Sequence, residues 1–162
     1  MSIRVWQALR LILPAVWLGL IIAIDLIEAP LKFQAPGITI PLGLGIGRLV
    51  FLGMNITEVV IALVLALALW RSRADRRSWM IAGAAFALLV LKFAVIRPLL
   101  AQHTNAVLAG GEGGSLTHYF YIATDAVLFV VLVWLVVAQA RRLIGGSTAA
   151  SDAAANDVVG AR

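Results

Sequence analysis

Four long apolar runs, at residues 5–29, 49–70, 79–100 and 119–140, limit what this chain can fold into. Each meets the roughly 20 residues that a helix needs to cross about 30 Å of hydrocarbon. The chain has 162 residues, 62% hydrophobic and 13% charged, with mean hydropathy +1.01. A soluble domain averages about 45–50% apolar and about 25% charged, and one this short has too little interior to bury the excess. The excess faces lipid. Isolated strands leave backbone groups unsatisfied there, and these runs are too long and continuous for barrel strands. The expected fold is all-α: an integral membrane antiparallel four-helix bundle. It forms one domain over residues 1–144. The tail at 145–162, rich in Ala, Ser, Gly and Asp without periodicity, reads as disordered.

The net charge of +5 is placed topologically. Arg4 and Arg10 flank the start of the first run, Arg71, Arg73, Arg76 and Arg77 fill one short connection, and Arg141 and Arg142 follow the last run. Basic flanks of apolar segments are cytoplasmic anchors rather than nucleic-acid contacts. Both termini are therefore expected in the cytoplasm of a cell's inner membrane, with 30–48 and 101–117 facing outward. So strong a bias also argues against a dual-topology dimer. The first run is longer than a signal h-region, and Asp25-Leu26-Ile27-Glu28 stands where a small-residue cleavage site would. It reads as a retained helix.

The outward connections differ. Pro36, Pro41, Gly43, Gly45 and Gly47 make 34–47 greasy and rich in turn formers, so a continuous helix is not expected there. Residues 109–115 read as a flexible solvated link.

Ionisable groups inside spans cost about 2.5–3.5 kcal/mol each at a helix centre, which makes them informative. Asp25 and Glu28 lie in the first run, Asn55 and Glu58 in the second, Lys92 and Arg97 in the third, Asp125 in the fourth. At a rise of about 1.5 Å per residue, Asp25 lies about 22 Å from the inner edge and Lys92 about 20 Å; Asp125 lies about 10 Å from the outer edge and Glu58 about 15 Å from its own end. Asp25, Lys92 and Asp125 thus fall at similar depth in the outer half, and Glu58 lies about one turn deeper, near the midplane. His118, Tyr121 and Asp125 fall on one helical face, as do Asp25, Glu28 and Lys32. A structural role is one reading: Lys92 paired with Glu58 or Asp125, and Arg97 with Asp25 or Glu28. The other is a ligand or proton site, which this number of ionisable groups favours.

Other chemistry is thinly represented. The chain has no cysteine, which removes thiolate metal sites and cysteine nucleophiles. His103 and His118 lie at one end, badly placed for haem, and with Glu112 they have no recognised zinc spacing. Gly43-Leu-Gly-Ile-Gly47 lacks the preceding strand and the following Lys-Ser/Thr of a phosphate loop. No nucleophile elbow occurs. No cofactor or metal is expected. Trp6, Trp17, Trp70, Trp79, Trp134, Tyr119 and Tyr121 read as interfacial anchors.

The layout resembles the small four-helix membrane proteins of the transmembrane protein 205 type. The resemblance rests on Trp17-Leu-Gly19, Ala29-Pro30-Leu-Lys-Phe33, Leu49-Val-Phe51, Arg97-Pro98 and His118-Tyr119, across residues 10–140. Arg97 stands where that family would place an acidic residue, and the first outward loop is unusually rich in Pro and Gly. The resemblance implies a membrane fold and no particular reaction, so it assigns no catalytic residue.

The leading expectation is a non-enzymatic membrane protein. Its outward-facing polar pocket would hold a lipid, quinone-like or other amphipathic ligand, the protein acting alone, as a homo-oligomer or as an accessory subunit of a larger complex. Glu58, Lys92 and Asp125 would line the pocket, with Asp25, Glu28, Asn55, Arg97 and His118 around its mouth. The alternatives are a proton-coupled small transporter or channel using Glu58 or Asp125, and an enzyme modifying outer-leaflet lipids.

Overall fold

The computed structural model describes residues 2–110 and 116–160, except for the side chains of residues 103, 107, 108, 117, 118 and 146–160. Among the described residues the chain is helical throughout, with no strand. Helix α1 is Ile3–Gln34 and α2 is Ile40–Arg71. Helix α3 spans 76–108, and α4 is Leu116–Gly160. All four contain a stretch long and apolar enough to cross a membrane. Leu63, Val90 and Val130, in the middle of their helices, are 66%, 64% and 64% exposed. Side chains so apolar and so bare require lipid around them. The chain is a multi-pass membrane protein.

Helix α1 packs against α2 and α4, and α3 against α4; α2 and α3 touch less closely. The core is built from one stripe of each helix. Trp17, Met54, Leu89 and Leu128 centre one apolar cluster. Leu65, Leu69, Ala82 and Leu135 centre a second, nearer the end that carries Arg10 and Arg142.

The glycine-rich segment departs from the sequence reading. Helix α2 begins at Ile40 and runs straight through Gly43, Gly45 and Gly47. Thr39 caps it, its hydroxyl accepting from the Leu42 amide at 3.4 Å. Pro41 falls in the first turn, where a missing N–H costs nothing. The glycines serve contact rather than turning. A Cβ at Gly43 would sit 2.3 Å from Phe33 Cε1, and one at Gly47 would sit 2.8 Å from Lys32 Nζ. The end of α1 therefore lies directly on the start of α2.

Two π turns were also not foreseen. One occupies Ile22–Glu28 in α1 and the other Lys92–Ile96 in α3. The Ala29 amide donates to the Ile24 carbonyl and the Arg97 amide to the Lys92 carbonyl, each five residues back. Each of these donors directly precedes a proline, Pro30 or Pro98. A proline ring clashes with the carbonyl four residues back, and widening the preceding turn is one way for a membrane helix to re-satisfy its backbone. Pro14 lies within a regular stretch of α1. Proline thus permits the wide turn, and the local packing selects it.

The backbone of α4 stays helical to Gly160, through residues whose composition predicts no structure. Alanines at 149, 150 and 153–155 supply high helix propensity there.

Candidate functional site

Lys92 organises the buried polar cluster. Its Nζ lies 2.7 Å from Glu58 Oε2 and 2.6 Å from Asp125 Oδ1, and it also donates to Glu58 Oε1 at 2.9 Å. Lys92 and Glu58 are fully buried, and Asp125 is 4% exposed. One ammonium thus ties α3 to α2 and α4. Lysine suits this role, because its long stem reaches across the bundle and its three donors can serve two carboxylates. The Trp17 indole N–H on α1 donates to Glu58 Oε1 at 3.0 Å, so all four helices contribute to the cluster.

Several polar atoms around it lack a donor or acceptor. Asn55, one turn from Glu58, is fully buried with both amide atoms unpartnered. The Tyr121 hydroxyl and Asp125 Oδ2 are likewise buried without a hydrogen bond. The Tyr121 ring lies 5.2 Å from Lys92 Nζ and stacks edge-on with Phe51 at 5.4 Å. Asp25, half-buried in its π turn, also keeps a buried Oδ2 without a hydrogen bond among the described residues. Two carboxylates therefore share a single ammonium.

Other expected members lie apart. Glu28 pairs with Lys32, one helical turn away, at 3.2 Å. Arg97 lies over the Phe93 ring at 5.3 Å and makes no ion pair with Asp25 or Glu28 among the described residues. The His118 side chain lies outside the described residues. Two clefts stand out among the described residues. One of about 600 Å³ lies at the basic end. The other, of about 290 Å³, is an apolar groove between α2 and α3 lined by Val59, Leu63, Phe86 and Phe93. Neither is lined by a residue of the cluster.

Two aromatic residues read as interfacial anchors belong to this interior: Trp17 is fully buried and Tyr121 is 3% exposed. Position was the available signal for Trp17, since it lies mid-run, about 10 Å beyond Arg10. A buried indole needs an acceptor for its N–H, and Glu58 provides it.

The basic end holds a second network, which the sequence presented as positive charge alone. Asp75 caps α3, accepting from the Arg77 and Ser78 amides at 3.0 and 3.2 Å. Its carboxylate also accepts from the Ser78 hydroxyl at 2.7 Å and from Arg142 Nη2 at 2.7 Å. Arg10 Nη2 and Gln139 Nε2 donate to Ser78 Oγ at 3.2 and 2.9 Å. Burial pushes the Asp75 carboxyl up, but the Ser78 hydrogen bonds and the Arg142 charge outweigh it and hold the group below the usual carboxylate value. An aspartate just ahead of an apolar run was the readable sign of this cap.

Comparison with protein-family models, with curated proteins and with solved structures finds no match for this chain.

Proposed function

We propose that this protein binds the polar head of an amphipathic small molecule at the Glu58–Lys92–Asp125 cluster. The observation that carries the proposal is the group of unpartnered buried atoms on Asn55, Tyr121 and Asp125. Each such atom costs about 1–3 kcal/mol when left unsatisfied, and a bound head group would satisfy several at once. Asn55 can donate and accept, and Tyr121 can do either, so a head with a hydroxyl or carbonyl fits.

The proposal includes an orientation. The bundle is antiparallel in the inner membrane, with both termini cytoplasmic and the cluster in the outer half. The meeting of Arg10, Asp75, Ser78, Gln139 and Arg142 at one end supports this arrangement, as does the concentration of arginine there. The likeness to the transmembrane protein 205 type belongs to the same proposal, as do partnership in a larger membrane complex and homo-oligomerisation.

The test is native mass spectrometry of the protein released from mild detergent, wild type beside Y121F and N55L. The Tyr121 hydroxyl has no hydrogen-bond partner among the described residues, so Y121F should fold as well as wild type. A bound mass present in wild type and lost from both variants supports the reading. A wild type that carries no mass, with both variants equally or more stable, overturns it.

A second reading has its own observation: Glu58 and Asp125 share the one Lys92 ammonium, and a third carboxyl, Asp25, keeps a buried Oδ2 without a hydrogen bond. A buried carboxyl in excess of the available cations suits a group that carries a proton, as a proton-coupled transporter would require. Proton-dependent flux into liposomes, abolished in D125N, would favour it.

A further inference from the structure

The cleft at the basic end is built differently from the cluster. It has a volume of about 600 Å³, and Ile3, Trp6, Trp70, Trp79, Arg71 and Arg73 line it. The Arg71 guanidinium stands 6.0 Å from the Trp6 ring and 6.0 Å from the Trp70 ring. Three indoles and two arginines thus line one cleft, and the arginines make its lining more polar than apolar. Tryptophan prefers the head-group level of a bilayer, so these walls mark the depth of the site.

Among the described residues no carboxylate neutralises the two arginines. Among the described residues neither Arg71 nor Arg73 has an ion pair. The only acid in the connection, Asp75, is engaged by Ser78, Arg10 and Arg142 on its other side.

The backbone adds an independent observation. Helix α2 ends with the Ala74 amide donating to the Leu69 carbonyl at 2.9 Å and the Arg73 amide to the Trp70 carbonyl at 3.1 Å. This double closure places Arg73 in the left-handed region, at φ 50°, a position that glycine normally fills. The chain accepts that strain and keeps a guanidinium at the cleft.

We infer that this cleft binds the phosphate of an anionic phospholipid, with Arg71 and Arg73 on the head group and the three tryptophans against the glycerol and upper acyl chain. Basic pockets between transmembrane helices recognise such head groups, and guanidinium matches phosphate geometry. The site is separate from the Lys92 cluster and stands whether or not that cluster binds a ligand.

The test uses wild type, R71Q, R73G and the R71Q/R73G double variant. Each is purified in mild detergent with equal amounts of palmitoyl-oleoyl phosphatidylglycerol and phosphatidylcholine. Native mass spectrometry then counts retained lipid. Wild type should retain phosphatidylglycerol selectively. Each single variant should lose about fivefold of that preference and the double variant about 30-fold, at roughly 1 kcal/mol per basic residue near the head groups. R73G separates binding from folding. Glycine relieves the positive φ, so this variant should melt no lower than wild type while it loses lipid. Equal retention of the two lipids by wild type, or unchanged preference in the double variant, overturns the inference. Displacement of phosphatidylglycerol by millimolar inorganic phosphate also overturns it, because the site would then take free phosphate.

Discussion

Trp17 donates its indole N–H to Glu58 across the α1–α2 contact at 3.0 Å, and both side chains are fully buried. Glu58 is thereby held on one side by a neutral donor and on another by the Lys92 ammonium. The carboxylate cannot swing away to solvate itself, so the charge balance of the cluster depends on Lys92.

Replacing Lys92 with methionine should therefore be costly. It leaves Glu58 and Asp125 facing each other without a cation, and breaking a buried pair typically costs about 3–5 kcal/mol. The triple variant K92M/E58Q/D125N removes the stranded charges as well and should recover most of the loss. Unfolding in mixed micelles checks both. A triple variant as unstable as K92M would show that packing of the lysine stem, not charge, holds the cluster.

The π turn in α3 should depend on Pro98. With P98A the Lys92–Ile96 segment can close to an ordinary α turn. That turns the two halves of the helix by about 100° relative to each other. Arg48 on α2, which donates to Asn105 at 3.0 Å, would then lose its partner. The chain has no native cysteine, so R48C/N105C can be joined by a short bifunctional thiol reagent without background. Crosslinking should be efficient with Pro98 present and weak in the P98A background. Equal crosslinking would acquit the proline.

Glycines in the first turns of α2 should respond in opposite ways. G43A drives a methyl into the Phe33 ring, and overpacking of that kind costs about 1–3 kcal/mol. At Gly45 nothing lies within 4 Å of an added Cβ. G45A should stabilise by up to about 1 kcal/mol through helix propensity alone. Thermal unfolding of the two variants side by side measures the difference.

Asp75 should give a pH-dependent contribution of defined sign. Its folded carboxyl lies below its ordinary value. The stabilisation is therefore complete above the unfolded pKa, about 3.9, and drains away as pH falls through the lower folded value. The D75N variant should be less stable than wild type at neutral pH by under about 1 kcal/mol, since the pairs are partly exposed. The gap should close below about pH 3.9. A gap that widens in acid would contradict the network described at this end.

The sequence was most legible where a single physical demand dominated. Lipid imposes length and apolarity, so the spans could be read directly. Depth arithmetic brought Lys92 and Asp125 to one level and Glu58 about one turn deeper because helical rise is fixed, and the long lysine stem reaches both carboxylates. Competing demands were harder to read. Gly43 and Gly47 looked like turn residues because composition cannot distinguish a glycine that bends the chain from one that admits Phe33 or Lys32. Trp17 looked like an anchor because its acceptor lies 41 residues away. Arg97 was paired with acids by charge alone, yet it lies over Phe93. The π turns had a local sign in Pro30 and Pro98, but Pro14 carries the same sign without the same outcome.

Between the Lys92 cluster and the Arg10–Asp75 end lie Leu65, Leu69, Leu128, Leu132 and Leu135, all without exposure. Such a layer is an electrical insulator. Moving one elementary charge through a membrane potential is worth about 2.3 kcal/mol per 100 mV, and that drop falls mainly across the material that conducts least. A charge passing between the cluster and the arginine end would have to cross that layer, and its movement would feel the voltage there.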